Sequence, residues 1–233
     1  IERNRAFAES FLGHSIPLEE FRPELWLTAE DRGYARRLLE ENRVETGGKP
    51  LVALFPGAAW SGRRWPVENF AALANRLVER YAARILICGS AGDRPLAGEI
   101  ARRMATLPVI LAGRTTLRQL AAVFERCDIY IGNETGALHI AAAVGLPTVC
   151  IMGGGHFGRF SPYGDANRHR LAYKRMDCYH CNWHCLYETV RCIQEIPFDD
   201  VWKEAKALIE GVVLPQRRHG IAEAMDTKGA QPQ

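Results

Sequence analysis

The chain contains 233 residues, with 30 Lys and Arg against 27 Asp and Glu, so its formal net charge is only +3. Hydrophobic residues make up 47% of the chain and charged residues 24%, which is typical of a globular protein. These values exclude a disordered chain, a fibrous repeat and a dedicated polyanion-binding protein, and we expect no nucleic-acid partner.

The first part of the chain, residues 1–46, contains two predicted helices joined by a loop. The first helix covers residues 3–12. Thr28 is the predicted N-cap of the second, which has Asp31 in its first turn and ends near residues 46–48. Because the chain starts with Ile rather than Met, we expect it to be part of a longer protein.

Short apolar runs alternate with helical patterns from residue 50 onward. The predicted elements, in chain order, are strand 51–55, helix 66–81, strand 84–88, helix 95–104, helix 117–126, strand 128–131, helix 135–144 and strand 147–152. Continuous apolar strands that alternate with helices are typical of a parallel sheet covered on both faces. The sequence therefore predicts an α/β fold, a Rossmann-like parallel sheet with helices on both faces, within residues 47–213.

The remaining segments carry weaker patterns. Residues 135–158 form an uncharged stretch of 24 positions, but Pro147 interrupts it, so a membrane span fits less well than a helix, a turn, a strand and a glycine loop. A terminal helix is predicted at 199–210, and residues 214–233 are predicted to be a solvated tail.

The loops after the strands are the candidate site, because ligands of open parallel sheets bind beyond the carboxyl ends of the strands. The first such loop, 56–65, combines small residues with Arg63 and Arg64 just before a helix. Two guanidinium groups near a helix N-terminus suit a diphosphate, since they supply positive charge and forked N–H donors. The alternative is a surface pair of arginines beside a core Trp65.

A second candidate group follows the predicted strand 128–131. Thr135 and His139 lie four residues apart and share one face of the first helical turn. Glu134 could accept ribose or sugar hydroxyls, or could serve only to cap the helix. At this edge of the sheet, His139 is a candidate hydrogen-bond donor to a phosphate or a candidate contact to a sugar. Elsewhere on an apolar helix, a histidine is usually an ordinary core residue.

Residues 153–158 satisfy the G-x-G-x-x-G pattern after a strand. A nicotinamide-binding fold needs this pattern to open a helix after the first strand, and here neither condition is predicted. We interpret the segment as a flexible ligand loop that includes Gly154 and Gly155. A nicotinamide-dependent oxidoreductase remains an alternative function.

Four cysteines fall within fifteen positions of a predicted loop, residues 177–193: Cys178, Cys181, Cys185 and Cys192. This spacing is tolerable for zinc or an iron–sulfur cluster. The alternative is a compact loop of reduced or locally paired cysteines. A metal-stabilised interaction module without catalytic activity is therefore a third candidate function.

The motifs in these loops resemble those of glycosyltransferase family 9, the heptosyltransferase family of lipopolysaccharide core assembly. The matching pieces are Pro56-Gly57 with Arg63-Arg64-Trp65-Pro66, Gly89-Ser90 with Asp93, and Asn133-Glu134-Thr135-Gly136 with His139-Ile140-Ala141-Ala142-Ala143. Two positions differ from the family pattern but keep the charge. Glu134 stands where the family usually has Asp, and Arg63 stands where it commonly has Lys.

The resemblance implies a GT-B arrangement, in which two Rossmann-like domains face a cleft. Residues 1–46 are then the end of an acceptor-side domain with its linker, and residues 47–213 bind the nucleotide-sugar. The implied reaction is an inverting, metal-independent transfer without a cofactor, and its general base, an Asp, belongs to the acceptor-side domain. Arg63 and His139 are the expected catalytic residues. The expected donor-binding residues are Gly57, Ser61, Arg64, Ser90, Asp93, Glu134, Thr135, Gly136, Gly154 and Gly155.

The resemblance also implies the partners. We expect a nucleotide-sugar donor such as ADP-heptose and a lipopolysaccharide or other glycolipid acceptor. The first residues carry charge without a following apolar block, so no signal peptide is predicted. The seven cysteines, four of them within fifteen positions, suit a reducing compartment, and we expect a cytoplasmic location. Peripheral association with the inner face of the inner membrane is a further expectation.

Overall fold

The structure is a computed structural model that describes residues 2–17, 23–44, 48–161 and 165–217. The strands are β1 (Leu51–Phe55), β2 (Arg84–Ile87), β3 (Val109–Ile110), β4 (Ile129–Asn133), β5 (Thr148–Ile151) and β6 (His169–Ala172). The helices are α1 (Glu2–Leu12), α2 (Ala29–Glu41), α3 (Val67–Tyr81), α4 (Arg94–Arg103), α5 (Leu117–Phe124), α6 (Gly136–Ala143), α7 (Arg191–Gln194) and α8 (Phe198–Leu208). Single turns of 3₁₀ helix, Ser61–Arg63 and Ala91–Asp93, precede α3 and α4.

The strands of the described residues form one parallel sheet in the order β3-β2-β1-β4-β5-β6. β1 therefore lies between β2 and β4, and the strand order changes direction between β1 and β4. At such a switch point the two following loops separate and leave a crevice at the carboxyl ends of the strands. The fold thus places the loop after β1 beside the loop after β4.

Helices cover both faces of the sheet, which confirms the predicted α/β architecture. In β1, Val52 and Leu54 point into the core formed with α3, α4 and α8, whereas Leu51 and Ala53 point into the core formed with α2, α5 and α6. All four side chains are fully buried, and burying a Leu or Val contributes about 1.5–3 kcal/mol. Burial on both faces is why these strands are continuous apolar runs rather than alternating ones.

Most predicted elements are confirmed, with ends that shift by a few residues. Thr28 caps α2 in a capping box with Asp31, as predicted, but α2 ends at Glu41 and residues 45–47 lie outside the described part of the chain. The predicted strand 128–131 extends to Asn133, which brings that residue into the sheet. The sequence does not predict β3, β6 or α7.

The C-terminal part of the structure is tied to the sheet. After α8 a π-helical turn, Ile209–Val213, leads into a helical segment through Arg217. The Arg217 guanidinium donates to both carboxylate oxygens of Asp128, at 2.9 and 2.6 Å. The first four residues of the predicted tail are therefore helical, and residues 218–233 lie outside the described part. None of the helices in the described parts combines the length and apolarity that crossing a membrane requires.

Candidate functional site

Asn133 joins the two loops at the switch point. Its side chain is buried at the end of β4, where Nδ2 donates to the Pro56 carbonyl at 2.8 Å and Oδ1 accepts from the Trp65 N–H at 3.1 Å. Trp65 is itself buried and donates through Nε1 to the Ile196 carbonyl at 2.9 Å. The sequence motif includes Asn133 without assigning it a role. A polar residue that ends a buried strand is the signal that could have identified it.

Arg63 lies across the crevice between these loops. Its Nη2 donates to the backbone carbonyl of Glu134 at 2.9 Å and lies 3.7 Å from the Glu134 Oε2. The Arg63 Cζ lies over the Trp183 ring, 4.4 Å from the ring centroid. The Arg63 Nε is buried and has no hydrogen-bond partner among the described residues. Arg63 therefore keeps donor capacity that the described residues do not use.

Glu134 is the hydrogen-bond acceptor that lies beside the donor Arg63. It is only 5% exposed, and neither carboxylate oxygen has a hydrogen-bond partner among the described residues. Burial raises the pKa of Glu134, and the positive charge of Arg63 partly opposes this. A buried carboxylate without hydrogen bonds is costly, so its two oxygens are well suited to accept ligand hydroxyls.

Asp93 organises the loop after β2. Its carboxylate accepts from the Ser90 N–H at 2.8 Å and from the Ser90 hydroxyl at 2.6 Å, which forms a capping box. A Cβ at Gly57 would stand 2.6 Å from the Asp93 Cγ, so only glycine allows the two loops to approach this closely. The Arg64 Nη2 lies 3.9 Å from Asp93 and donates to the Ala58 carbonyl at 2.9 Å. These contacts hold the predicted donor-binding residues of the first two loops together.

The N-terminus of α6 follows directly after Glu134. Thr135 is the N-cap residue, but its side chain makes no capping hydrogen bond. A Cβ at Gly136 would meet no atom within 4 Å, so the space beside this first turn is open. His139 is half-buried, with its ring edge-on to Phe160, and burial lowers its pKa, so the imidazole is neutral near pH 7. The first turn of α6 therefore offers backbone N–H groups beside open space at Gly136, and His139 follows three residues later on the same helix.

The glycine loop is covered by the cysteine-rich loop. Added Cβ atoms at Gly154 and Gly155 would stand 2.2 Å from the Tyr179 ring and 2.4 Å from the Trp183 ring. The His180 N–H donates to the Gly154 carbonyl at 2.8 Å. These glycines allow the two loops to pack together, and their contact with a donor remains a prediction. The glycine loop leads into turns, whereas a nicotinamide site would require it to open a helix.

The four cysteines of this loop are all unpaired thiols. The Cys192 Sγ accepts from the Gly154 N–H at 3.3 Å, and burial raises the pKa of this thiol. Within the ranges that the structure describes, no three His, Cys, Asp or Glu side chains are grouped so that they could hold a metal ion. The zinc and iron–sulfur alternatives therefore gain no geometric support.

Ser61 is the remaining predicted donor-binding residue. It begins the 3₁₀ turn of the first loop, and its carbonyl accepts from the Arg64 N–H at 3.0 Å. The side chain is exposed, at the same loop as Arg63. The structure therefore brings the predicted residues of the loops after β1, β2 and β4 to one edge of the sheet, linked by the contacts of Arg63, Arg64 and Asn133.

Comparisons with known proteins agree with this architecture. The model of glycosyltransferase family 9 (heptosyltransferase) matches residues 1–186. A lipooligosaccharide heptosyltransferase 2 from Haemophilus influenzae is 28% identical over 153 residues, which cover 64% of this chain and 44% of the relative. The chain thus spans about half the length of the curated relatives it matches.

Two solved structures share the fold. A family 9 glycosyl transferase from Veillonella parvula superposes with a TM-score of 0.66 at 21% identity, over 80% of this chain and 54% of the other. The E. coli ADP-heptose lps heptosyltransferase II superposes with a TM-score of 0.64 at 23% identity, over 84% of this chain and 56% of the other. The chain has the fold of one half of a GT-B-type enzyme. Because the family model covers most of its length, the chain belongs to glycosyltransferase family 9, the heptosyltransferase family.

Proposed function

We propose that this chain forms the donor site of an inverting glycosyltransferase, which transfers a heptose from ADP-heptose to a lipopolysaccharide core or a related glycan. The observation that carries the proposal is the pairing of Arg63 with Glu134 at the switch point. The two groups lie 3.7 Å apart, and both retain buried polar atoms without a hydrogen bond among the described residues. A ligand that carries both phosphate oxygens and hydroxyls would satisfy both groups.

The diphosphate is the part of the donor that Arg63 and Arg64 would bind. When the bond between the anomeric carbon and the diphosphate oxygen breaks, negative charge builds on the leaving group and positive character on the sugar. Guanidinium groups and the N–H groups at the start of α6 stabilise that charge in the transition state. His139, neutral near pH 7, contributes one ring N–H as a donor.

Glu134 would bind the hydroxyls of the donor. Its carboxylate oxygens accept hydrogen bonds from the sugar or the ribose, which replaces the missing partners of a buried charge. Gly57, Ser90 and Asp93 would shape the adjoining wall of the crevice. The acceptor hydroxyl attacks the anomeric carbon from the opposite face, and its proton passes to a base in the acceptor-side domain.

The relatives' names support the substrate class. The Haemophilus relative is named as a lipooligosaccharide heptosyltransferase, and the E. coli structure as an ADP-heptose enzyme. Because the proposed acceptor is a glycolipid, the proposal also includes a cytoplasmic location and peripheral association with the membrane. Sedimentation with vesicles of anionic phospholipid and lipopolysaccharide tests that part, and recovery of all protein in the supernatant contradicts it.

Isothermal titration calorimetry tests the donor site directly. The chain should bind ADP-heptose and ADP more tightly than UDP-sugars or NAD. Preferential binding of NAD would favour the oxidoreductase alternative, and binding of zinc without any nucleotide would favour the metal-stabilised module. An enzyme that contains both domains should then transfer heptose to a lipopolysaccharide core acceptor, as measured by mass spectrometry.

A further inference from the structure

The cysteine-rich loop reaches into the donor site through Trp183. Its backbone donates hydrogen bonds to the carbonyls of the glycine loop, from His180 to Gly154 at 2.8 Å and from Asn182 to Gly155 at 3.1 Å. His180, Asn182 and Trp183 have positive φ angles of 66°, 55° and 66°. This conformation is unfavourable for non-glycine residues, and for a residue as bulky as Trp it is rare. The surrounding contacts must therefore hold Trp183 in place.

Those contacts hold the indole against the glycine loop and His156. The ring packs against Gly155, where an added Cβ would stand 2.4 Å from the indole. The Trp183 Nε1 donates to the His156 Nδ1 at 3.3 Å, and the His156 Nε2 lies 2.7 Å from the Asn182 Oδ1. Because the indole N–H can only donate and the Asn182 Oδ1 can only accept, the His156 Nδ1 accepts and the Nε2 donates in these contacts. The glycine loop and His156 therefore set the position of the indole.

The face of the indole carries the Arg63 guanidinium, at 4.4 Å from the ring centroid. A guanidinium that lies on an aromatic face keeps its N–H donors on its edge, where they can reach oxygen atoms. One of these donors bonds to the Glu134 carbonyl at 2.9 Å, and the buried Nε has no partner among the described residues. The indole thus restricts the rotamers of Arg63, while the Arg63 Nε stays without a hydrogen bond among the described residues.

We propose that Trp183 is a positioning residue, which holds the Arg63 guanidinium so that its unused N–H donors meet the diphosphate of the donor nucleotide. This inference rests on the proposed function. In this proposal the cysteine-rich loop, which carries Trp183, forms one wall of the diphosphate subsite. Trp183 acts only by positioning Arg63 and takes no part in the chemical step itself.

Replacement of Trp183 by Leu and by Phe separates the aromatic contact from simple packing. Leu fills part of the space but has no π face, whereas Phe keeps one. Trp202 provides a matched control, because Arg76 lies 5.5 Å from its ring centroid on a different part of the surface. We expect Trp183→Leu to weaken ADP binding about 5- to 30-fold, equivalent to roughly 1–2 kcal/mol. Trp183→Phe should stay within about 3-fold of the parent chain, and Trp202→Leu should leave the affinity unchanged.

NMR of arginine side chains gives a readout that does not depend on nucleotide. In the parent chain the ring current of Trp183 should shift the side-chain resonances of Arg63 upfield, with Arg63→Lys used for assignment. Trp183→Leu should abolish this shift, and Trp183→Phe should retain part of it. An unshifted Arg63 in the parent chain overturns the proposal.

The two measurements separate failure of this proposal from failure of the proposed function. A parent chain that binds no ADP overturns the donor-site assignment, even if the ring-current shift is present. A parent chain that binds ADP, with an affinity that Trp183→Leu does not change, overturns the positioning role alone. An equal loss in Trp183→Phe and Trp183→Leu would overturn the role of the π face, because the shape of the indole would then account for the effect. Thermal unfolding of each variant verifies that the fold is kept.

Discussion

Replacing Glu134 by Gln should raise the stability of the fold and weaken donor binding at the same time. Coulomb's law at an effective dielectric constant of about 20 gives roughly 4 kcal/mol of attraction to Arg63 across 3.7 Å. Removing a carboxylate from water costs several kcal/mol when its oxygens lack hydrogen bonds. Because burial raises the pKa of Glu134 in spite of Arg63, desolvation outweighs the attraction. Since Gln must itself be buried, we expect a net gain of only about 1 kcal/mol at pH 7, or about 2–4 °C in Tm.

The raised pKa of Glu134 also determines how the stability gain of Glu134→Gln should change with pH. A carboxyl group with a raised pKa in the folded state holds its proton more tightly when folded. Its contribution to stability is therefore fully present below the unfolded-state pKa of about 4.5 and is lost as the pH rises through the folded-state pKa. The stability difference between Glu134→Gln and the parent should be small at about pH 4.5 and larger at about pH 7. Urea unfolding at both pH values measures it.

Binding should change in the opposite direction. A hydrogen bond to a charged acceptor contributes about 1 kcal/mol more than one to a neutral acceptor, so the affinity for ADP-heptose should fall about 5- to 10-fold. The affinity for ADP should change little if Glu134 binds the sugar, and an equal loss for ADP would assign it to the ribose. Glu204→Gln is the control, because Glu204 pairs with Arg170 at 3.0 Å away from the crevice. A variant that is less stable than the parent at pH 7 would refute the reasoning.

Three further variants test the other contacts. Arg63→Ala should lower kcat of the complete enzyme about 100-fold, the usual loss for a group that stabilises transition-state charge, and an unchanged rate would contradict its catalytic role. Gly57→Ala should lower the free energy of unfolding by about 1–3 kcal/mol, because the new methyl group would overlap the Asp93 carboxylate, whereas Gly211→Ala, with no atom within 4 Å, should not. Asn133→Ala should cost about 2–3 kcal/mol in denaturant unfolding, since it leaves two buried backbone groups unpaired. Asn75→Ala removes two similar but exposed hydrogen bonds and should cost less than about 1 kcal/mol, and equal costs for the two would contradict the role of burial.

The sequence predicts the central strands well and the edge strands poorly, for one physical reason. β1 and β4 are buried on both faces, so nearly every position is apolar and the run stands out. β3 consists of only two residues, Val109–Ile110, and three of the four β6 residues are only partly buried. A short or partly exposed strand at the edge of a sheet has no requirement for a continuous apolar pattern.

The candidate site, too, is predicted from the sequence only in part. The rule that ligands bind beyond the carboxyl ends of strands selects the loops of Arg63 and Glu134 from the sequence, and the structure brings these loops together. The rule does not reveal that these two residues, 71 positions apart, lie in contact, because that depends on β1 pairing with β4. The contact between Trp183 and Arg63 is harder still to predict. It requires the left-handed region at three non-glycine residues, His180, Asn182 and Trp183, and this region is rare for a residue as bulky as Trp.

The arrangement at the switch point follows from a conflict between folding and binding. A chain selected only for stability would pair the Glu134 oxygens or replace them with apolar groups, since a buried unsatisfied carboxylate lowers stability. Here the neighbouring Arg63 is held from two other directions, by the Glu134 carbonyl and by Trp183, and donates no hydrogen bond to the carboxylate. Within the described residues, the crevice therefore keeps one acceptor and one donor side by side and unsatisfied. That combination is favourable only when a ligand with both hydroxyls and anionic oxygens enters, which is the chemistry of a nucleotide-sugar.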